Sequence, residues 1–206
     1  MRFRMDPASR TAAPTPSEAE STARGFVVWI EGLPGSGKTT LARALAPRLG
    51  GAGPGVEVFD GERVRETYFP ELGFSRADRE AHARRVSLLA RLLARHGVGV
   101  VVAMITPYET SRQAARAAAG GRFLEVWLNC PLEVCEARDP RGLYRQGHAG
   151  TLARMTGVDD PFEEPLAPDL VLDTARVPVE ACAERVQAEL IAKGFWATGP
   201  SGSSSK

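Results

Sequence analysis

Apolar runs separated by stretches of helical spacing organise this chain. Phe26–Ile30 (FVVWI) is apolar throughout, as expected of a strand covered on both faces. Gly55–Asp60, Val98–Ile105, Phe123–Asn129 and the short Leu170–Asp173 read as four further strands. Between and after them, helical spacing predicts a helix from about Lys38 to Leu49 and a long one from about Arg76 to Arg95. A closing helix is predicted from Val179 to Lys193. In the long helix Val86, Leu89, Ala90 and Leu93 form one apolar stripe. Strands alternating with helices need crossover connections, so the pattern predicts an α/β fold: three αβα layers around a mainly parallel five-stranded sheet. Ligands of such sheets bind beyond the carboxyl ends of the strands. The stretch from 140 to 168 lacks apolar periodicity and is long for a connection, which marks it as a lid or a disordered segment.

Composition narrows the reading. The 206 residues suit one domain, placed here at 24–196. Residues 1–23, rich in Ala, Pro, Ser and Thr, read as a flexible arm, and 197–206 as a disordered tail. With 26 basic and 25 acidic residues the net charge is +1, so nucleic acid and anionic membrane are not expected partners. No apolar run is long enough to cross a bilayer, and no apolar core follows the basic N-terminus as a secretory signal would need. Cys130, Cys135 and Cys182 lack metal-ligand spacing and read as thiols of a cytoplasmic protein.

The strongest chemistry follows the first strand. Gly32-Leu33-Pro34-Gly35-Ser36-Gly37-Lys38-Thr39 fits the phosphate-loop pattern G-x-x-x-x-G-K-[ST] between a strand and a helix, with Thr40 in the same segment. The glycines let successive backbone amides face one point, and the helix N-terminus adds partial positive charge. Lys38 is expected on the β- and γ-phosphates of ATP, and Thr39 on Mg²⁺. The chain is therefore expected to have the P-loop NTPase fold. It has no guanine-reading N-K-x-D, and its short length favours a small-molecule kinase.

The second strand runs into Asp60-Gly61-Glu62-Arg63-Val64-Arg65. Read from the residues alone, Asp60 and Glu62 serve to ligate Mg²⁺, position water or take a hydroxyl proton, with Arg65 gripping an anion. They fit equally well an ordinary acidic helix start.

This hexapeptide resembles the D-G-D-[N/E]-[I/V]-R motif of adenylyl-sulfate kinases. The likeness continues in order through Leu72–Arg79 (LGFSRADR), His82–Arg85, Ile105–Tyr108 (ITPY), Pro131–Tyr144 (PLEVCEARDPRGLY), Thr156–Glu163 and Val171–Thr174. The resemblance implies transfer of the ATP γ-phosphoryl to the 3'-hydroxyl of adenosine 5'-phosphosulfate, with Mg²⁺ as cofactor and a homodimer as the assembly. Lys38, Asp60, Glu62 and Thr106 would carry the chemistry, and Thr39 and Asp60 the metal. Arg65, Arg79 and His82 would hold the phosphosulfate. Phe74 and Met155 would face the substrate adenine, Ile105 and Thr106 would line the acceptor pocket, and Arg145 would reach the substrate from the lid. Arg138 would lie over the ATP base.

Several positions depart from the family pattern: Glu62 for Asp, an Arg at 63, His82 for Asn, Gln146 for Lys, and Met155 for a stacking Phe. Thr106 stands where the family has a Ser regarded as a candidate phosphoenzyme site; in-line chemistry favours direct transfer. Two other readings compete: a kinase of this fold with a different hydroxyl acceptor, and a nucleotide-binding module without catalysis.

Overall fold

Valine-rich stretches make the central strands because β-branched side chains suit a sheet covered on both faces. The computed structural model describes residues 25–50 and 55–197; the expected arm at 1–23 and the tail from 198 onward lie outside them. β1 (Val27–Glu31) and β3 (Gly99–Ala103) are buried at every position. β2 (Val56–Asp60) and the three-residue β5 (Leu170–Leu172) are half-exposed edges, and β4 (Phe123–Leu128) lies inside β5. The order is β2-β3-β1-β4-β5, with every pairing parallel.

Alternation along β1 divides the core. Val28 and Ile30 face one layer, built on α1 (Lys38–Leu49) and α7 (Val179–Ala192), where Leu41, Leu45, Val186 and Leu190 are buried. Val27 and Trp29 face the other, built on α3 (Arg76–Arg95) and α4 (Glu109–Ala119). The three layers and the parallel five-stranded sheet agree with the expectation from the sequence.

The long helix spans the predicted residues, and a capping box explains its start. The Ser75 side chain accepts from the Asp78 amide, and the Asp78 carboxylate accepts from the Ser75 amide. The predicted stripe holds at Val86 and Ala90, whereas Leu89 and Leu93 are only half-buried beside the sheet edge. Four short helices go beyond the hydrophobic pattern. Residues 109–119, to which that pattern assigns no element, form α4, an alanine-rich helix whose buried face includes Arg112. α2 (Gly61–Tyr68), α5 (Leu132–Arg138) and α6 (Leu143–His148) occupy stretches too short for a clear period.

The turns after β1, β2, β3 and β5 border a cleft of about 1380 Å³, which Arg138 and parts of the following segment (Pro140, Arg141, Leu143 and residues 152–156) also line.

Candidate functional site

The loop after β1 turns its carbonyls outward, and each one that a side chain reaches is satisfied. Pro34 O accepts from the Tyr144 hydroxyl at 3.0 Å, Ser36 O from Thr174 Oγ1 at 2.8 Å, and Gly35 O from Arg138 Nη1 at 3.4 Å. Lys38 Nζ donates to Gly32 O at 2.9 Å and Leu33 O at 2.6 Å. With the carbonyls so held, the amides opening α1 face the cleft. Glycine is required here. Gly35 has φ +79°, and a Cβ on it would lie 2.7 Å from Cys135 O; Gly32 has φ +143° and would press within 2.8 Å of Leu128 O. Burial, with Arg141 adding to it, lowers the Lys38 pKa to about 8.

Thr39 Oγ1 donates to Asp60 Oδ2 at 2.7 Å, which joins the start of α1 to the end of β2. Asp60 Oδ1 also caps α2, accepting from the amides of Glu62 and Arg63 at 3.2 and 3.3 Å. Asp60 is thus a helix cap, as an ordinary acidic helix start would have it, and it also stands beside the phosphate loop. Glu62 is exposed and paired with Arg141 across the cleft mouth.

The opposite wall is cationic and flat. Arg65 donates to Gly73 O at 2.6 Å and to His82 Nδ1 at 2.9 Å, and lies 4.9 Å from the centre of the Phe74 ring. An arginine cannot accept, so His82 Nδ1 bears the lone pair and the ring proton sits on Nε2. His82 is buried, and the Nε2 has no protein partner among the described residues. Burial first, then Arg65 and Arg85, push the His82 pKa down to about 3. Arg79 is buried too. It donates to the carbonyls of Phe74 and Arg154 and faces Asp160 at 3.5 Å. Phe74 itself is 53% exposed at the cleft, an unusual exposure for a large ring. Met155, buried, supplies a soft apolar surface nearby.

After β3 the chain turns at Ile105 and Thr106. Thr106 adopts φ +43°, a left-handed conformation that costs a β-branched residue about 1–3 kcal/mol unless neighbours hold it. Two buried donors do so. Trp29 Nε1 donates to Thr106 Oγ1 at 3.0 Å, and Arg112 Nη1 donates to Thr106 O at 2.9 Å.

Most of the candidate residues thus meet around one cleft. Lys38, Thr39, Thr40, Asp60 and Glu62 line it on the phosphate side, and Arg65, Phe74, Arg79, His82, Ile105, Thr106 and Met155 on the other. Arg138 lies at its rim, tied to Gly35 O and to Thr174 O at 2.7 Å. Arg145 stands apart. It is absent from the cleft lining and its guanidinium folds onto Gly142; Arg141, one turn earlier, reaches the cleft in its place. Sequence reasoning passed over Arg112, Glu31 and Arg154. A glutamate closing the apolar run VVWIE was the available signal for a buried charge cluster.

Among the described residues no three His, Cys, Asp or Glu side chains cluster to hold a metal, and no helix is long and apolar enough to cross a membrane.

Comparison with known proteins follows the same lines. A family profile described as Adenylylsulphate kinase matches residues 24–173. An adenylyl-sulfate kinase of Synechococcus sp. (strain JA-3-3Ab) is 46% identical over 172 residues, covering 84% of this chain and 97% of that protein. One from Paraburkholderia xenovorans is 47% identical over 174 residues, covering 84% and 97%. Among solved structures, the Mycobacterium tuberculosis APS kinase CysC in complex with AMPPNP and APS superposes with a TM-score of 0.77 at 38% identity, covering 82% of this chain and 98% of that one.

Proposed function

The chain belongs to the adenylylsulphate kinase family, and we propose that it transfers the γ-phosphoryl of ATP to the 3'-hydroxyl of adenosine 5'-phosphosulfate, yielding 3'-phosphoadenylyl sulfate and ADP. The observation that carries this reading is the pairing, across one cleft, of a phosphate loop with a wall made of two arginines, a neutral histidine and an exposed phenylalanine.

Phosphoryl transfer needs positioning and charge neutralisation more than covalent chemistry. The amides at the start of α1 bind the phosphates. Lys38 exchanges its loop carbonyls for phosphate oxygens, a charge-assisted contact that strengthens as charge develops on the transferring group. The Thr39–Asp60 pair offers two hard oxygens beside that loop, a donor set that fits Mg²⁺. Held by these two side chains, the ion would supply positive charge against the triphosphate. Asp60 and Glu62, both lining the cleft, are the carboxylates that would take the acceptor hydroxyl proton. Arg65 and Arg79 grip the phosphosulfate, the His82 Nε2–H donates to it, and Phe74 stacks on its adenine with Met155 alongside. Arg138 sits at the rim where the ATP base enters.

Residues 140–168 form the lid. Contacts that tether it over the cleft support this: Glu62 with Arg141, Arg79 with Arg154 O and Asp160, and Tyr108 with Asp160 at 3.0 Å. A closed lid excludes water and so prevents ATP hydrolysis. Use of ATP and three buried free thiols fit the cytoplasm. A homodimer is part of the same reading, checked by sedimentation.

A coupled assay of ADP release tests the reaction. Release should depend on added adenosine 5'-phosphosulfate and should vanish in Lys38→Ala without loss of folded structure. Acceptor-independent release would refute the transfer, and full activity in Lys38→Ala would remove the loop from the mechanism.

A further inference from the structure

We infer that Arg112 is a positioning residue for phosphoryl transfer: it fastens the Thr106 turn, on the acceptor side of the cleft, to α4, beside the end of the strand that carries the phosphate loop. The inference rests on the reaction proposed above and concerns a residue that faces neither substrate. Arg112 is 1% exposed, on the inner face of α4, and is absent from the cleft lining. Its Nη1 donates to Thr106 O at 2.9 Å. Its Nε and Nη2 grip Glu109 Oε2 at 3.0 and 2.8 Å. Glu31 lies 3.7 Å from it and Glu125 3.8 Å. Glu31 is the last residue of β1 and immediately precedes Gly32, while Glu125 comes from the neighbouring strand β4. The ring of Phe162, from the 140–168 segment, lies 5.8 Å from the guanidinium. One planar, five-donor group therefore bonds the acceptor turn to Glu109 of α4 and lies beside the strand end before the phosphate loop, beside β4 and beside Phe162 of the 140–168 segment.

The cluster is arranged for rigidity. Arg116 joins Glu125 and Asp169 at 2.7 Å each, and Lys193 joins Asp169 at 3.0 Å. Formally, the cations Arg112, Arg116 and Lys193 face the carboxylates of Glu109, Glu125 and Asp169. Lys193 is shared with Glu189 as well. Burial, opposed by Arg112 and reinforced by Glu125, raises the Glu31 pKa to about 10, which makes Glu31 the neutral member of the cluster. At its centre Arg112 and Glu31 are buried and Glu125 nearly so, while Arg116 and Lys193 at its rim are partly exposed. Bonded to both Thr106 O and Glu109, the Arg112 fork has few alternative arrangements. Its consequence is felt at Thr106, held left-handed by Arg112 on its carbonyl and by Trp29 on its hydroxyl oxygen. With that oxygen accepting the indole N–H, the Thr106 hydroxyl keeps its own proton to donate, and Thr106 is among the residues that line the cleft.

The test compares the full-length wild type with Arg112→Lys and Trp29→Phe, measuring acceptor-dependent turnover, Mg-ATP affinity by direct titration, and melting temperature. Arg112→Lys keeps the charge and loses the fork. It should lower kcat by about 10²-fold, the cost of a misplacement near 1 Å, while Mg-ATP affinity stays as in wild type. Trp29→Phe, which deletes one hydrogen bond to Thr106, should lower kcat about tenfold with the same split. Wild-type kcat in Arg112→Lys would overturn the inference, as would kcat and Mg-ATP affinity falling together with the melting temperature, the mark of general destabilisation. Should Arg112→Lys fail to fold, Trp29→Phe decides by the same criteria. Absence of acceptor-dependent turnover in the wild type would instead sink the proposed reaction, and with it the role of Arg112.

Discussion

Acidification should destabilise this protein through His82 in particular. The ring is 2% exposed, accepts from Arg65 on Nδ1, packs edge-on against Phe69 at 6.0 Å and lies near Arg85, so nothing around it welcomes a second proton. Its pKa falls from 6.5 to about 3 on folding. Between those values the unfolded chain holds a proton that the folded chain refuses. Stability therefore rises with pH through this window and is lost as pH falls below about 6.5. Integrating that difference from about pH 7 to about pH 5 gives a loss of about 2 kcal/mol from this one ring. Carboxylates add their own acid dependence, so the informative quantity is a difference between proteins. Urea unfolding of wild type and His82→Asn at both pH values isolates it. The variant, whose amide does not titrate, should lose about 2 kcal/mol less over the interval, whatever its absolute stability. Equal losses in the two proteins would mean that His82 titrates normally in the folded state. That result would also remove the argument that its Nε2–H is a permanent donor to the cleft.

Three further substitutions probe other parts of the account. Asp60→Asn keeps the α2 cap and so should cost less than about 1 kcal/mol of stability, yet it should reduce turnover about 10²-fold or more through the metal and proton roles; unchanged kinetics would return Asp60 to a purely structural part. Phe74→Ala, at an exposed position, should leave stability within about 0.5 kcal/mol but weaken acceptor binding by about 1–3 kcal/mol, seen as a raised KM for adenosine 5'-phosphosulfate and an unaltered one for ATP. Glu31→Gln replaces a protonated acid by a neutral near-isostere and should shift unfolding free energy by less than about 1 kcal/mol. A loss of about 3–5 kcal/mol would show that Glu31 is charged and paired with Arg112.

How much of this was legible in advance follows from where the information lies. Continuous apolar runs and helical spacing located all five strands and the helices α1, α3 and α7, because burial on a regular element leaves a period. The phosphate loop was readable because its glycines answer backbone demands that no other residue meets. The helix α4 offers only alanines as apolar residues, so no apolar stripe of the kind seen in α3 announces it. Its buried face is made of alanine, serine and arginine, and Arg112 is buried only because Glu109 and the ends of β1 and β4 converge on it. Trp29 reads correctly as core, but its bond to Thr106 joins residues far apart in sequence, and no local pattern announces it. Arg145 shows the converse limit: the resemblance implied that it reaches the substrate, but in α6 it is exposed and outside the cleft lining, and Arg141 lines the cleft instead.

The central claim is that a triphosphate gripped ahead of α1 is aimed at a sugar hydroxyl held by the arginine wall. Phosphorus NMR of the product formed from ATP and adenosine 5'-phosphosulfate tests it most directly. The account predicts a new phosphomonoester resonance coupled to the ribose 3' proton, appearing in step with ADP. Inorganic phosphate as the only new phosphorus species alongside ADP would contradict it.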